Sequence, residues 1–317
     1  MGLSAPKTIS GPLLGVAAAV SYGVTIVCNR ELATRGFGPA ASLSVRFALA
    51  GTLLLVVLAA ARRPLLPAPG ERWRALALGL VGYAVESVLF YSALERGTAA
   101  AVALLFYSYP AMVALLELLL PWRSLRPPAL GRLQLDSRVA AALALSVGGT
   151  LLIVTADSRV SVTTTGVVFA LTSAASFSVY LLASARATPR TDALTNGAWV
   201  AVGAAVSIVV FGALGGGGGL RAPGASWWLM ALNGTATAAA FTLLFAAVRR
   251  IGPSRTAIVM TMEAVSAVVL GALVLGERLT GRQALGGALV LGATLLVGRK
   301  ALPASGDRDQ PAAAAAA

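Results

Sequence analysis

Four ionisable side chains stand deep inside otherwise apolar runs of this chain: Arg46, Glu86, Glu117 and Glu263. An ionisable group at the centre of a membrane-spanning helix costs about 2.5–3.5 kcal/mol on insertion scales, so each one demands a reason. Glu86 and Glu263 fall near the middle of two different runs. If both face the interior they form a candidate proton or cation site, because a carboxyl group withdrawn from water can load and release a proton. The competing reading is a neutral carboxyl hydrogen-bonded between helices for packing alone. Arg46 lies roughly 9 Å into its run at 1.5 Å per residue. There it either snorkels outward, pairs with a buried carboxylate, or holds an anionic substrate group through its planar fork. Glu117 sits near the end of its run, where snorkelling or an ion pair with Arg123 accounts for it.

Aromatic residues are the second source of chemistry. Tyr22, Phe90, Tyr91, Phe106, Tyr107, Tyr109, Phe177, Tyr180, Phe241 and Phe245 lie within the runs, where they either line an amphipathic cavity, with Tyr hydroxyls orienting a ligand, or pack the core. Trp73, Trp227 and Trp228 stand where an interfacial belt belongs. Pro110, in mid-run, removes a backbone donor and should kink its helix, either exposing a carbonyl or simply shaping the bundle.

Other chemistries are excluded by what the chain lacks. It has no histidine and a single cysteine, Cys28, so disulfides, His or Cys metal sites and His-activated nucleophiles cannot be built. No cofactor is expected, nor an enzyme. Of 317 residues 57% are hydrophobic and 12% charged, where a soluble globule carries about 25% charged. The formal charge of +13 is spread singly or in pairs between apolar runs, which points to topology signals and away from nucleic acid.

The positioning elements are therefore helices across a lipid bilayer, each needing about 20 apolar residues. Ten are expected, over 11–29, 40–61, 74–94, 98–120, 138–155, 164–185, 193–214, 226–248, 254–275 and 282–298. The first reads as an uncleaved helix rather than a secretory signal. Lys and Arg divide 17 against 7 between the two sides, with Arg46 inside a span, which places both termini in the cytoplasm. Leu120 to Ser137 reads as the longest cytoplasmic loop, and Gly215 to Gly219 as a flexible outer one.

Small residues at every fourth position (Gly15, Ala19 and Gly23; Ala267 and Gly271; Ala284, Ala288 and Gly292) permit close helix approach. The last set is a candidate homodimer face on an otherwise monomeric chain. Gly276, Glu277 and Arg278 would cap the ninth helix.

The chain also repeats itself. Gly11-Pro-Leu-Leu-Gly15 aligns with Gly166-Val-Val-Phe-Ala170, Tyr22 with Phe177, Ala93 with Ala247, Arg96 with Arg250, and Pro110 with Ala264. Gly149-Thr-Leu-Leu152 then aligns with Ala293-Thr-Leu-Leu296. Tyr109 thereby stands opposite Glu263. Five spans per copy is odd, so the second copy enters the membrane from the other side. An all-α membrane protein of ten helices in two inverted five-helix repeats follows, with segments at 1–160 and 161–300 and a disordered cytoplasmic tail at 301–317.

The stretch GPSRTAIVMTMEAVSAVVLGALVLGERLTGRQALGGALVLGATLLV, and YSALERGTAAAVALLFYSYPAMVALL in the first copy, resemble the EamA-like family of the drug/metabolite transporter superfamily. The resemblance covers nearly all of residues 11–298. It implies a transporter of small metabolites, often an exporter, with a cavity between spans one, three, four, six, eight and nine. Ala264 replaces the Pro that usually follows the Glu in this family, and Pro121-Trp122-Arg123 replaces the Gly-Glu at the end of helix four. The candidate substrate or proton pathway is Glu263, Glu86, Tyr109, Arg46, Tyr22, Tyr180, Phe177 and Pro110. A membrane scaffold or receptor with the same helices is the rival reading.

Overall fold

The computed structural model describes residues 10–119, 137–156, 161–214, 226–275 and 279–298. The expected loops at 120–136 and 215–219, the residues Arg123 and Gly276 to Arg278, and the tail at 301–317 lie outside the described residues.

Ten helical segments follow the ten apolar runs closely. They are α1 (Gly11–Thr34), α2 (Pro39–Ala60), α3 (Arg72–Leu94), α4 in two pieces (α4a, Ala99–Phe106; α4b, Tyr109–Leu119), α5 (Ser137–Val154), α6 (Thr164–Ala187), α7 (Ala193–Leu214), α8 (Trp227–Ile251), α9 in two pieces (α9a, Pro253–Met260; α9b, Met262–Leu275) and α10 (Gly281–Gly298). Nine are long and apolar enough to cross a membrane, and Gly281–Val297 is slightly shorter. The largest departure from the expected bounds is α1, which runs past 29 to Thr34. An i,i+4 ion pair from Glu31 to Arg35 at 2.8 Å supports its last turn.

Starts and stops are set locally. Thr98 and Thr163 cap α4a and α6, their hydroxyls accepting from Ala101 N–H at 3.3 Å and Gly166 N–H at 3.1 Å. A single residue, Gly252, joins α8 to α9a at φ +81°, a left-handed conformation that glycine adopts without strain.

Packing follows the inverted repeat. α1 lies against α8 and α6 against α3, which are the same contact in the two copies. α2 against α8 is matched by α7 against α3, while α2–α7 and α5–α10 pair each helix with its own repeat mate. At α5–α10 two glycines make the approach possible. A Cβ on Gly149 would meet Gly286 O at 2.6 Å, and one on Gly286 would meet Gly149 O at 2.4 Å. Gly15 and Gly23 likewise seat Val259 and Ser266 of α9 on α1. On α10, Ala284 and Ala288 face outward while Gly286, Val290 and Ala293 face inward.

We call the end of the bundle where α1 begins the proximal face and the opposite end the distal face. On the proximal face the α2–α3 connection is pinned to the α6–α7 connection through one carboxylate. Glu71, 2% exposed, accepts from Arg190 N–H and Nε at 3.0 and 3.2 Å and from Thr191 N–H and Oγ1 at 2.9 and 2.6 Å. Arg249 adds donations to the carbonyls of Thr188 and Thr191. Burial alone would raise the Glu71 carboxyl, but the donors from Thr191 and Arg190 outweigh it and hold the group below the ordinary carboxylate range. A depressed folded value makes this stabilisation complete above the unfolded value of about 4.3 and removes it as pH falls through the folded one. Glu71→Ala should cost about 1–3 kcal/mol in thermal unfolding at pH 7, with the difference from wild type shrinking as the pH is taken below 4.

Candidate functional site

Three helices are irregular within their spans. α3 widens into a π-helical stretch at Leu78–Tyr83, one turn before Glu86. α4 breaks at Tyr107–Ser108, and α9 breaks at Thr261. The offset that sets Pro110 against Ala264 also sets α4a against α9a, which are equal in length at 8 residues. The two breaks are thus one feature present twice. Pro110 is placed just after its break, whereas α9 breaks with Ala264 there, so proline is not what creates the discontinuity.

Each break frees polar backbone atoms that apolar surroundings cannot satisfy. Thr261 N–H turns to Ile258 O at 3.2 Å, and the Ala257 carbonyl one residue earlier accepts from Tyr109 Oη at 3.3 Å. Ser178 of α6 donates to Tyr109 O at 3.2 Å. Near the end of α4b, the Ser254 hydroxyl of α9a donates to the Glu117 carboxylate, so Glu117 is held across the helix interface.

The carboxylates and the guanidinium converge beside these breaks. Glu263 stands within electrostatic reach of Glu86 and Arg46, and Glu86 within reach of Arg46. Around Glu263 lie Tyr22 of α1, Tyr83 of α3, and Tyr107 and Tyr109 of α4. Glu86 is buried and accepts from Ser87 Oγ at 3.1 Å, while Ser173 donates to its backbone carbonyl. The Glu263 carboxyl makes no hydrogen bond or ion pair with a described residue and keeps partial exposure. Arg46 does not snorkel: it is buried at 7% exposure. Its guanidinium lies over the Phe47 ring at 4.4 Å. Its Nε has no partner, and it forms no ion pair among the described residues.

An unbroken chain of rings links these groups. Tyr22 meets Phe241, which meets Phe47 and Tyr83 at 6.0 and 5.0 Å. Tyr83 meets Tyr180 at 5.6 Å, and the chain continues through Phe177, Tyr109, Phe106 and Phe90 to Tyr91. All eight residues singled out from the sequence fall on this chain, beside it or at the breaks. Phe47 and Tyr83, at its centre, were not singled out; adjacency to Arg46 and one-turn spacing from Glu86 were the available signals. The Tyr22 and Tyr180 hydroxyls and Asn233 Oδ1 are buried without a well-formed hydrogen bond. A permanent cation, two carboxyls and amphipathic rings at mid-depth can bind a small molecule with an apolar body and charged ends.

The two faces of the bundle are not alike. Seven of the eight residues of α9a, Pro253 to Met260, are buried. In the mate of α9a, α4a, only Ala101 and Val102 are buried among the residues whose side chains are described. α9a packs on α4b, but the mate of that pair, α4a with α9b, makes no comparable contact. Among the described residues, the proximal half-helix α9a is therefore more fully buried than its distal mate α4a.

The sequence profile of the EamA-like transporter family matches residues 9–131 and 164–299. No curated protein sequence matches the chain. A solved crystal structure, described only as that of a protein, superposes with a TM-score of 0.76 at 20% identity, covering 92% of this chain and 97% of that chain; this likeness speaks for the fold. Pro110→Ala should leave the α4 break in place and change stability by less than about 1 kcal/mol. Tyr109→Phe strands the Ala257 carbonyl and should cost about 1–2 kcal/mol. Thermal unfolding of the purified variants in detergent measures both.

Proposed function

We propose, on the premise that the chain belongs to the EamA-like transporter family, that it is a secondary active transporter of the cytoplasmic membrane exporting small metabolites or amphipathic compounds by alternating access. The observation that carries this reading is the meeting of Arg46, Glu86 and Glu263 at the level of the helix breaks, beside a continuous aromatic chain. The 17-to-7 division of Lys and Arg supports a cytoplasmic proximal face. The fuller burial of α9a than of α4a supports a state facing outward.

Charge balance supports proton coupling. Arg46 is permanently cationic, so the cluster carries −1 with both carboxyls ionised and 0 with one protonated. Low-dielectric surroundings favour the neutral arrangement. A cationic substrate group arriving near Glu86 or Glu263 would displace that proton and be exchanged for it. The apolar part of the substrate would lie along Tyr22, Tyr180, Phe177 and Tyr109, with Arg46 available to an anionic end. The substrate acts alone with the protein and the bilayer, and the protein works as a monomer or homodimer.

The test begins with a thermal-shift screen of the purified protein against amino acids, nucleosides and cationic drugs at two pH values. Compounds that bind are then followed in proteoliposomes with an imposed pH gradient. Glu263→Gln is expected to abolish or flatten the pH dependence of transport, and Arg46→Gln to weaken binding of anionic compounds about tenfold or more. Transport by Glu263→Gln with an unchanged pH profile would defeat the coupling reading for that residue.

A further inference from the structure

The repeat relation assigns a partner to every contact between the halves. One of them is missing from the state observed. Tyr109 of α4 donates to the Ala257 carbonyl of α9a, joining the two halves on the proximal side of the α9 break. Under the offset that sets Pro110 against Ala264, Tyr109 maps onto Glu263 and Ala257 onto Ala103. In an inverted repeat the opposite-facing state is reached when the halves exchange conformations. The closing contact of that state is therefore Glu263 with the Ala103 carbonyl of α4a.

The backbone is arranged for this exchange. In the closed half, Thr261 N–H has moved to Ile258 O, leaving Ala257 O for Tyr109. In the open half, Tyr107 N–H still binds Ala103 O at 2.8 Å. Exchange would shift Tyr107 N–H to Leu104 O, the mate of Ile258, and release the Ala103 carbonyl in its turn. The looseness of α4a relative to α9a is what an unclosed mate looks like.

The two closing side chains differ in one chemical respect. A tyrosine hydroxyl donates at any physiological pH, whereas a carboxyl donates only when protonated. We infer that Glu263 is a second, proton-dependent latch: protonated, it closes the distal face by donating to the Ala103 carbonyl, directly or through one water; ionised, it cannot. Glu263 is faced by Tyr22 on α1, Arg46 on α2, Tyr83 and Glu86 on α3, and Tyr107 and Tyr109 on α4. Among the described residues, α5 and α10 bring no charged group into its reach. The inference rests on the alternating-access reading above and deepens it by naming what biases the two states.

The buried, lone Cys28 makes the test direct. In a Cys28→Ala background, Ala257→Cys places a thiol in the proximal seal, where a water-soluble thiol reagent reaches it only when that face opens. Without substrate, labelling in proteoliposomes, divided at each pH by the rate for the same cysteine in denatured protein to cancel the loss of reactive thiolate, is expected to rise about fivefold as pH falls, the shift given by one net hydrogen bond of about 1 kcal/mol. Glu263→Gln, whose amide donates at every pH, should label fast throughout, and Glu263→Leu slowly throughout. Glu263→Tyr, which makes the two breaks alike, should match Glu263→Gln, so a folding defect in one variant does not decide the matter. Labelling of the parent that ignores pH, or equal labelling of the Gln and Leu variants, overturns the latch. Because no substrate is needed, failure to find transport leaves this readout standing. An unchanged transport pH profile in Glu263→Gln defeats proton coupling without deciding the labelling.

Discussion

A lipid bilayer offers no water to a broken helix, and every feature of this protein near mid-depth is arranged around that constraint. A discontinuity in α9 exposes the Ala257 carbonyl, and the structure meets it with the hydroxyl of Tyr109, the first residue after the equivalent discontinuity in α4. The two weak points of the fold are joined to each other. Hydroxyls supply the remaining donors: Ser108 turns back to Leu105 O and Thr261 to Ile258 O, both at 2.7 Å, so each irregular turn is sealed from within. Glu263 stands two residues beyond the α9 break and Glu86 three beyond the π-helical stretch of α3.

Charge at this depth is tolerated through proximity rather than pairing. Arg46 has two carboxyls in electrostatic reach but no ion pair among the described residues, and its guanidinium rests on Phe47. A salt bridge buried here would pay twice for desolvation and then be hard to open. Groups held apart keep hydrogen-bonding capacity for something else. The rings of Phe47, Tyr83 and Phe241 are buried against one another, and Phe47 gives the cation a π face.

Much of this was legible in the sequence, for physical reasons. Apolar runs bounded by Arg and Pro give the helices to within a few residues, since hydropathy and the lack of a donor on proline act locally. Glu86, Glu263 and Arg46 declared themselves by cost. Their proximity did not, because depth along a helix fixes only one coordinate and the rotation of each helix comes from packing, such as Gly23 against Ser266. Pro110 pointed to a kink, yet Thr261 breaks α9 without proline at the equivalent position; that break follows from a hydroxyl and a neighbouring phenol, neither of which leaves a distinctive local pattern. Glu71 looked like an ordinary loop carboxylate, and its partners Arg190 and Thr191 come from a connection more than a hundred residues away.

The reciprocal glycines of α5 and α10 carry a further implication. Gly149 and Gly286 belong to helices that are each other's repeat mates, so the α5–α10 pair as a whole maps onto itself when the halves exchange roles. Off-axis contacts such as Tyr109 with Ala257 have to be surrendered in such an exchange. The α5–α10 pair does not, and, drawn together by its glycines, it can serve as a fulcrum present at both ends of the motion. A lever needs one point that stays still, and here that point is two backbones too close together to admit a side chain between them.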